Sequence, residues 1–209
     1  DDLELIANKF EGEIAACIVE PIAGSTGILV PPKNYLNRLR EICNKHGILL
    51  IFDEVITGWG RTGSPFAAQE FNVTPDIMTL AKATTNGVVP MGVVAIRDGI
   101  YDTVVDSAPK GAIELFHGYT YSGIPAAVAA ALAVQDILEK ENIFNKVKNI
   151  SPYFQEALHS LRDLDCIENI RGYGLLGGVD IKKKDKPGNA GFQVYRACYE
   201  NGVNFKATG

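Results

Sequence analysis

Three short apolar runs between residues 48 and 96 constrain this chain more than any other feature. Residues 48–52 (ILLIF) run into Asp53 and Glu54, residues 76–81 (DIMTLA) run into Lys82, and residues 92–96 (GVVAI) close the set. Each is too short for a helix. Continuous apolar runs of this length read as strands buried on both faces, as in a parallel sheet, so the chain is expected to be α/β. In open α/β sheets the chemistry gathers at the carboxyl ends of strands. That rule predicts an acid, Asp53, and an amine, Lys82, at two such ends.

An amine and an acid so placed have a physical use. A lysine at a partly desolvated sheet edge can lose its proton and form a Schiff base with an aldehyde. An aspartate on a neighbouring strand can keep a pyridinium nitrogen protonated, which makes the ring an electron sink. Taken singly, each residue reads as readily as a strand-end cap or a surface charge. The surrounding words decide between these readings. Asp53-Glu54-Val55, Thr57-Gly58, Gly60-Arg61-Thr62-Gly63, then Lys82 ahead of Asn86-Gly87 and Pro90-Met91-Gly92, together resemble the class III pyridoxal-phosphate aminotransferases. The resemblance implies that Lys82 is the Schiff-base lysine, that Asp53 pairs with the ring nitrogen and that Val55 packs on the ring face. It also implies the fold type I architecture of pyridoxal-phosphate-dependent transferases. Residues 1–145 would be part of the large, mainly parallel sheet domain with its crossing helix, and residues 146–209 the start of the small C-terminal domain.

Composition narrows the alternatives. A net charge of −5, with scattered lysines and arginines, leaves no basic footprint for nucleic acid. Cys17, Cys43, Cys166 and Cys198 lie far apart with no CxxC spacing, which argues against a zinc site or disulfide framework and suits a reducing cytoplasm. No apolar stretch reaches membrane-spanning length, and the opening DDLE is not a signal peptide.

Along the chain, residues 1–11 read as the end of a helix with Leu3, Ile6 and Phe10 on one side. Residues 14–19 form a strand delivering Glu20 to its carboxyl end, and residues 33–46 an amphipathic helix stopped by Gly47. His46 is expected to act there as a helix-dipole partner. Arg61, in its glycine-flanked loop, is expected to anchor that loop to a neighbouring carboxylate. Trp59 either lines a substrate channel or packs. Helices follow over 97–105, 124–138 and 143–162, the second with Val128, Ala131, Val134, Ile137 and Leu138 on one side. Residues 167–170 and 175–181 read as strands around a turn at 171–174, with a solvated run Lys182-Lys183-Lys184 beyond. A last helix covers 189–201, and an extended segment begins at 202–205.

Three further positions take their meaning from the resemblance. The phrase EPIAGSTG implies that Glu20 lies close to the cofactor, and Ser25, where relatives acting on ornithine or γ-aminobutyrate tend to carry glutamate, leans toward ω-amino acid:pyruvate aminotransferases. The order FHGYTYSG implies that Thr120 ligates the phosphate of a partner subunit's cofactor, hence a homodimer with shared active sites. Ile124 stands where relatives often have histidine. Lys206 occupies the place of a carboxylate-binding arginine, keeping the charge but not the planar fork. The implied activity is ping-pong transfer of an amino group from an ω-amino acid or amine to a keto acid such as pyruvate. Aminomutase or decarboxylase chemistry on the same fold stays open, as does a segment inactive by itself. Family chains are considerably longer, so the sequence reads as an internal fragment.

Overall fold

The computed structural model describes residues 2–182 and 188–207. Asp1, Lys183 and Lys184 of the basic run, and Thr208 and Gly209 of the segment around Lys206, lie outside the described residues. The first half builds α1 (Asp2–Lys9), β1 (Ala16–Val19), α2 (Tyr35–His46), β2 (Leu49–Asp53), α3 (Ala67–Glu70), β3 (Ile77–Leu80), β4 (Val93–Ile96) and α4 (Asp98–Asp106). The second half builds α5 (Pro125–Lys140), α6 (Ile143–His159), β5 (Ile167–Tyr173), β6 (Leu176–Ile181) and α7 (Asn189–Glu200).

β1, β2, β3 and β4 form one sheet in that order. β1 pairs with β2 in parallel, and β2 with β3 in parallel. β4 runs antiparallel to β3, with Leu80 opposite Val93, so the run at 92–96 is a strand but not the parallel, doubly buried one expected. Val94 and Ile96 are exposed on it. An apolar run encodes burial, not direction, and the short connection after Lys82 lets the chain turn straight back.

The core lies between the sheet and the first two helices. Leu50 and Phe52 are fully buried and meet Leu36, Leu39 and Cys43 of α2, with Ala7 of α1 against the same cluster. Burying each large side chain contributes about 1.5–3 kcal/mol. α1 turns Leu3 and Ala7 inward and leaves Ile6 and Phe10 exposed, so the expected face is rotated toward alanine. α2 ends as predicted at Gly47, whose φ of 67° is left-handed and whose N–H bonds the Cys43 carbonyl. His46 closes that helix, but its Nε2 is buried and among the described residues has no hydrogen-bond partner, so it is packed and not simply a solvated dipole partner. In α5 the inward residues are Ala127 and Ala131, while Val128 and Ile137 are exposed.

β5 and β6 make an antiparallel hairpin with Tyr173 opposite Leu176. Arg171 and Tyr173 therefore belong to a strand, and the turn is confined to Gly174 and Leu175. α6 packs on this hairpin so closely that a Cβ at Gly177 would sit 2.6 Å from Leu158. Gln155 Nε2 caps the turn, donating to the Gly174 carbonyl at 2.8 Å and the Leu176 carbonyl at 3.0 Å. Residues 202–205 carry no regular structure.

At the amino end of β3, Asp76 gathers donors from α2, from β2 and from Arg97 at the start of α4. Its Oδ2 accepts from the Leu50 N–H at 2.7 Å and from Arg40 at 2.6 Å, and its Oδ1 accepts from Arg97 at 2.6 Å. Burial pushes the carboxyl up, but these donors outweigh it and hold it below the usual range. A depressed carboxyl stabilises the fold above its ordinary value, and that stability is lost as pH falls through the lower native value. Asp76→Asn is expected to cost about 3 kcal/mol in denaturant unfolding, the low end for a broken buried ion pair. The variant should also lose part of the wild-type decline in stability below pH 4; an unchanged acid limb would deny Asp76 this role.

Candidate active site

Because β1, β2 and β3 are parallel, their carboxyl ends share one edge. Val19 is level with Phe52, and Asp53 with Thr79, so Glu20 follows β1 beside Asp53 and Lys82 stands just beyond the end of β3. Glu20 Oε2 accepts from the Gly24 N–H at 2.9 Å, which folds the following loop back over the strand end. Asp53 Oδ1 accepts from the Val55 N–H at 3.0 Å. Among the described residues its other oxygen makes no hydrogen bond.

Lys82 opens a 3₁₀ turn, Lys82–Thr84, with a left-handed φ of 46°. That conformation costs a residue with a Cβ about 1–2 kcal/mol and recurs at functional sites. Its side chain is exposed, and among the described residues Nζ pairs with no carboxylate. Trp59, also left-handed at φ 62°, buttresses this turn: its Nε1 donates to Thr84 Oγ1 at 3.0 Å, and Thr84 donates in turn to the Ala81 carbonyl at 3.1 Å. The indole stacks edge-on against Phe66 at 5.2 Å. It also borders a groove of about 300 Å³ shared with Arg61, Ala83, Asn86, Val134 and Ile143. A larger cavity of about 400 Å³ lies at the opposite edge of the sheet, around Asp76 and Arg97, away from this row.

Glu54 is the residue that sequence reasoning passed over. It is fully buried, and its carboxylate accepts from Thr57 Oγ1 at 3.0 Å, the Ala67 N–H at 2.6 Å and the Ala68 N–H at 2.7 Å. Burial raises its pKa, opposed by those three donors. The signal available was an acid directly after Asp53: alternation along the strand turns one of the pair to the opposite face.

The hairpin is tied to the loops of this edge. Arg171 Nε donates to the Gly27 carbonyl at 2.7 Å while its guanidinium grips Asp180 at 2.5 and 2.9 Å. Glu70 accepts from Tyr173 at 2.6 Å and from Ser64 at 2.5 Å. The Leu175 N–H donates to the Arg61 carbonyl at 2.9 Å. The expected side-chain anchor for Arg61 is not formed: its side chain is exposed and makes no ion pair among the described residues, so its backbone does the anchoring.

Thr120 and Lys206 are not brought to this edge by any hydrogen bond among the described residues; both are exposed. Thr120 sits in a segment that projects Phe116 at 95% exposure and Tyr121 at 85%. His117 packs its ring on Tyr119 at 4.2 Å.

The mixed α/β sheet, with β1, β2 and β3 parallel, is consistent with the fold type I architecture of transaminases. The sequence model for class-III aminotransferases matches residues 1–209, and the chain belongs to that family. Its members depend on pyridoxal phosphate. An omega-aminotransferase of Caulobacter vibrioides is 48% identical over 100% of this chain and 48% of its own length. An omega-amino acid–pyruvate aminotransferase of Pseudomonas putida is 48% identical over 94% of this chain and 45% of its own. The crystal structure of a thermostable (S)-enantioselective omega-transaminase from Thermomicrobium roseum superposes with a TM-score of 0.91 at 37% identity, over 98% of this chain and 46% of that one. The chain thus spans about half the length of the curated relatives it matches. No helix among the described residues is long and apolar enough to cross a membrane.

If the left-handed backbone at Lys82 is strained, glycine should relieve it. Lys82→Gly is expected to unfold at higher denaturant than Lys82→Ala by about 1 kcal/mol, the reverse of the usual order. Equal stabilities would show that the turn carries no strain.

Proposed function

We propose that the intact protein transfers an amino group from an ω-amino acid or amine to a keto acid such as pyruvate, in two alternating half-reactions. What carries this reading is the row of Glu20, Asp53 and Lys82 at adjoining strand ends, with Lys82 held in left-handed backbone. The residues fit pyridoxal phosphate: among the described residues the amine has no carboxylate partner and the aspartate keeps one oxygen uncommitted.

Bound, that cofactor supplies a carbonyl carbon for amine exchange and a cationic ring that stabilises negative charge on the donor carbon. Lys82 would hold it through Nζ and, once the donor's amine takes its place, carry the proton from the donor carbon. Asp53 would keep the ring nitrogen protonated, its carboxylate steadied by the Val55 N–H. Val55 would pack against the ring face. Glu20 would close the site on the β1 side, with its loop drawn in through Gly24. Trp59 would border the substrate channel, a role supported by the groove it shares with Ala83 and Asn86. Lys206 would meet the substrate carboxylate as a point charge.

Thr120 would bind the phosphate held by a partner subunit, which makes the working unit a homodimer with shared sites. Support comes from the exposed apolar segment around it, with Phe116 and Tyr121 uncovered. We divide the chain at 145/146, because the four-stranded sheet lies wholly before that point and the hairpin wholly after it. The wide sequence spacing of Cys17, Cys43, Cys166 and Cys198 supports a reducing compartment, the cytoplasm.

In the full-length protein, borohydride reduction with pyridoxal phosphate is expected to fix the label on Lys82; a label on another lysine would refute its assignment. The shared site has its own test. Thr120→Ala should weaken cofactor affinity by about 1–3 kcal/mol. Mixed with Lys82→Ala at limiting cofactor, it should regain activity, since one site of the heterodimer carries both defects and the other none. Heterodimers without recovered activity would rule out sharing.

A further inference from the structure

We propose that Glu54 is a positioning residue whose buried carboxylate fixes the turn carrying Val55 to Trp59, and through it the orientation of Asp53 and of the segment after Lys82. The inference rests on reading Asp53 and Lys82 as the site. No role in the transfer reaction has so far fallen to Glu54.

Three observations converge on it. Its backbone locks two strands, since its N–H donates to the Thr79 carbonyl of β3 at 3.0 Å. Its carbonyl closes the turn, accepting the Gly58 N–H at 2.9 Å, and a Cβ at Gly58 would lie 2.7 Å from that oxygen. Its side chain then crosses to the far side of the loop. There Oε1 meets the Ala68 N–H, and Oε2 meets the Ala67 N–H and the Thr57 hydroxyl. The residues between these anchors include Val55, whose N–H holds Asp53, and Trp59, whose indole holds Thr84. One carboxylate therefore sets the frame from which both halves of the site are steadied.

The chemistry demands a carboxylate. Both oxygens face a backbone donor, so the side chain must accept on each. Glutamine has nearly the same shape but would turn an NH₂ group against a backbone N–H whichever way its amide lay. A buried donor left facing a donor loses its hydrogen bond and stays desolvated. Alanine would release all three partners. A shift of about an ångström in a positioned group can lower turnover on the order of 100-fold.

The test uses the full-length protein loaded with pyridoxal phosphate, comparing wild type with Glu54→Gln and Thr57→Val. Visible circular dichroism per bound cofactor reports ring orientation, and far-UV circular dichroism reports the fold. Glu54→Gln is expected to keep the far-UV spectrum and to change the visible band in shape or sign. Its kcat should fall about 10- to 100-fold with the KM for the amine donor within about twofold. Thr57→Val, which removes one hydroxyl and keeps the shape, should shift both readouts the same way by less, and it decides the matter if Glu54→Gln does not fold. A purely structural Glu54 would lower the melting temperature and leave the visible band and kcat at wild-type values; that result in the folded variants overturns the proposal. Borohydride labelling of the wild type separates the two readings. Label on Lys82 with unchanged variants defeats the Glu54 role alone, and label elsewhere defeats the site and the Glu54 role together.

Discussion

The parallel register of β1, β2 and β3 is the constraint on which everything else rests. With Val19 level with Phe52 and Asp53 level with Thr79, three chain segments leave the sheet at one edge. Parallel pairing requires each strand to return by a long connection. α2 makes that return between β1 and β2, and its apolar face forms the core with Leu50 and Phe52. The burial that stabilises the sheet thus also fixes where Glu20, Asp53 and Lys82 emerge. The antiparallel β4 does not disturb this edge, because it enters the sheet only after the Lys82 turn.

Carboxylates do most of the local fastening. Asp76 gathers Leu50, Arg40 and Arg97 at the amino edge of the sheet; Glu54 gathers Thr57, Ala67 and Ala68 beneath the other edge. Glu70 joins Ser64 to Tyr173, and the Tyr173 hydroxyl is pushed up to about 12 by burial and that neighbouring acid. With Arg171 on the Gly27 carbonyl and Leu175 on that of Arg61, the hairpin is held to the loops on either side of the site. A partly buried bond to a charged group is worth about 1.5–3 kcal/mol. Several such bonds along one seam tie the hairpin to the strand-end loops.

Much of this was legible in the sequence because strand ends are written in residue types. Runs that stop at Asp53 and Lys82 mark two strand ends with no knowledge of pairing, and Gly47 marks the end of α2 through its left-handed backbone. Strand direction was not legible: residues 92–96 look the same parallel or antiparallel. Gly172 and Gly174 made 171–174 resemble a turn, yet Gly172 pairs with Gly177 in the strand, at a point where Gln155 and the Leu176 carbonyl leave no room for a Cβ. Glu54 was hidden by its neighbour, since its backbone partners lie 13 and 14 residues on, in a four-residue helix with little periodicity of its own. Arg61 misled through its charge, when the bond that matters is made by its backbone carbonyl.

In the proposed site Asp53 would hold a ring nitrogen protonated so that charge can leave the donor carbon. The most direct measurement is the pre-steady-state rate of the amine-donor half-reaction in full-length Asp53→Asn, with cofactor occupancy measured on the same sample. Asparagine keeps the shape and loses the charge. The rate should fall by orders of magnitude while the cofactor still binds in part. A wild-type half-reaction rate in a loaded Asp53→Asn protein would contradict the assignment of Asp53, and with it the row of strand ends as the site.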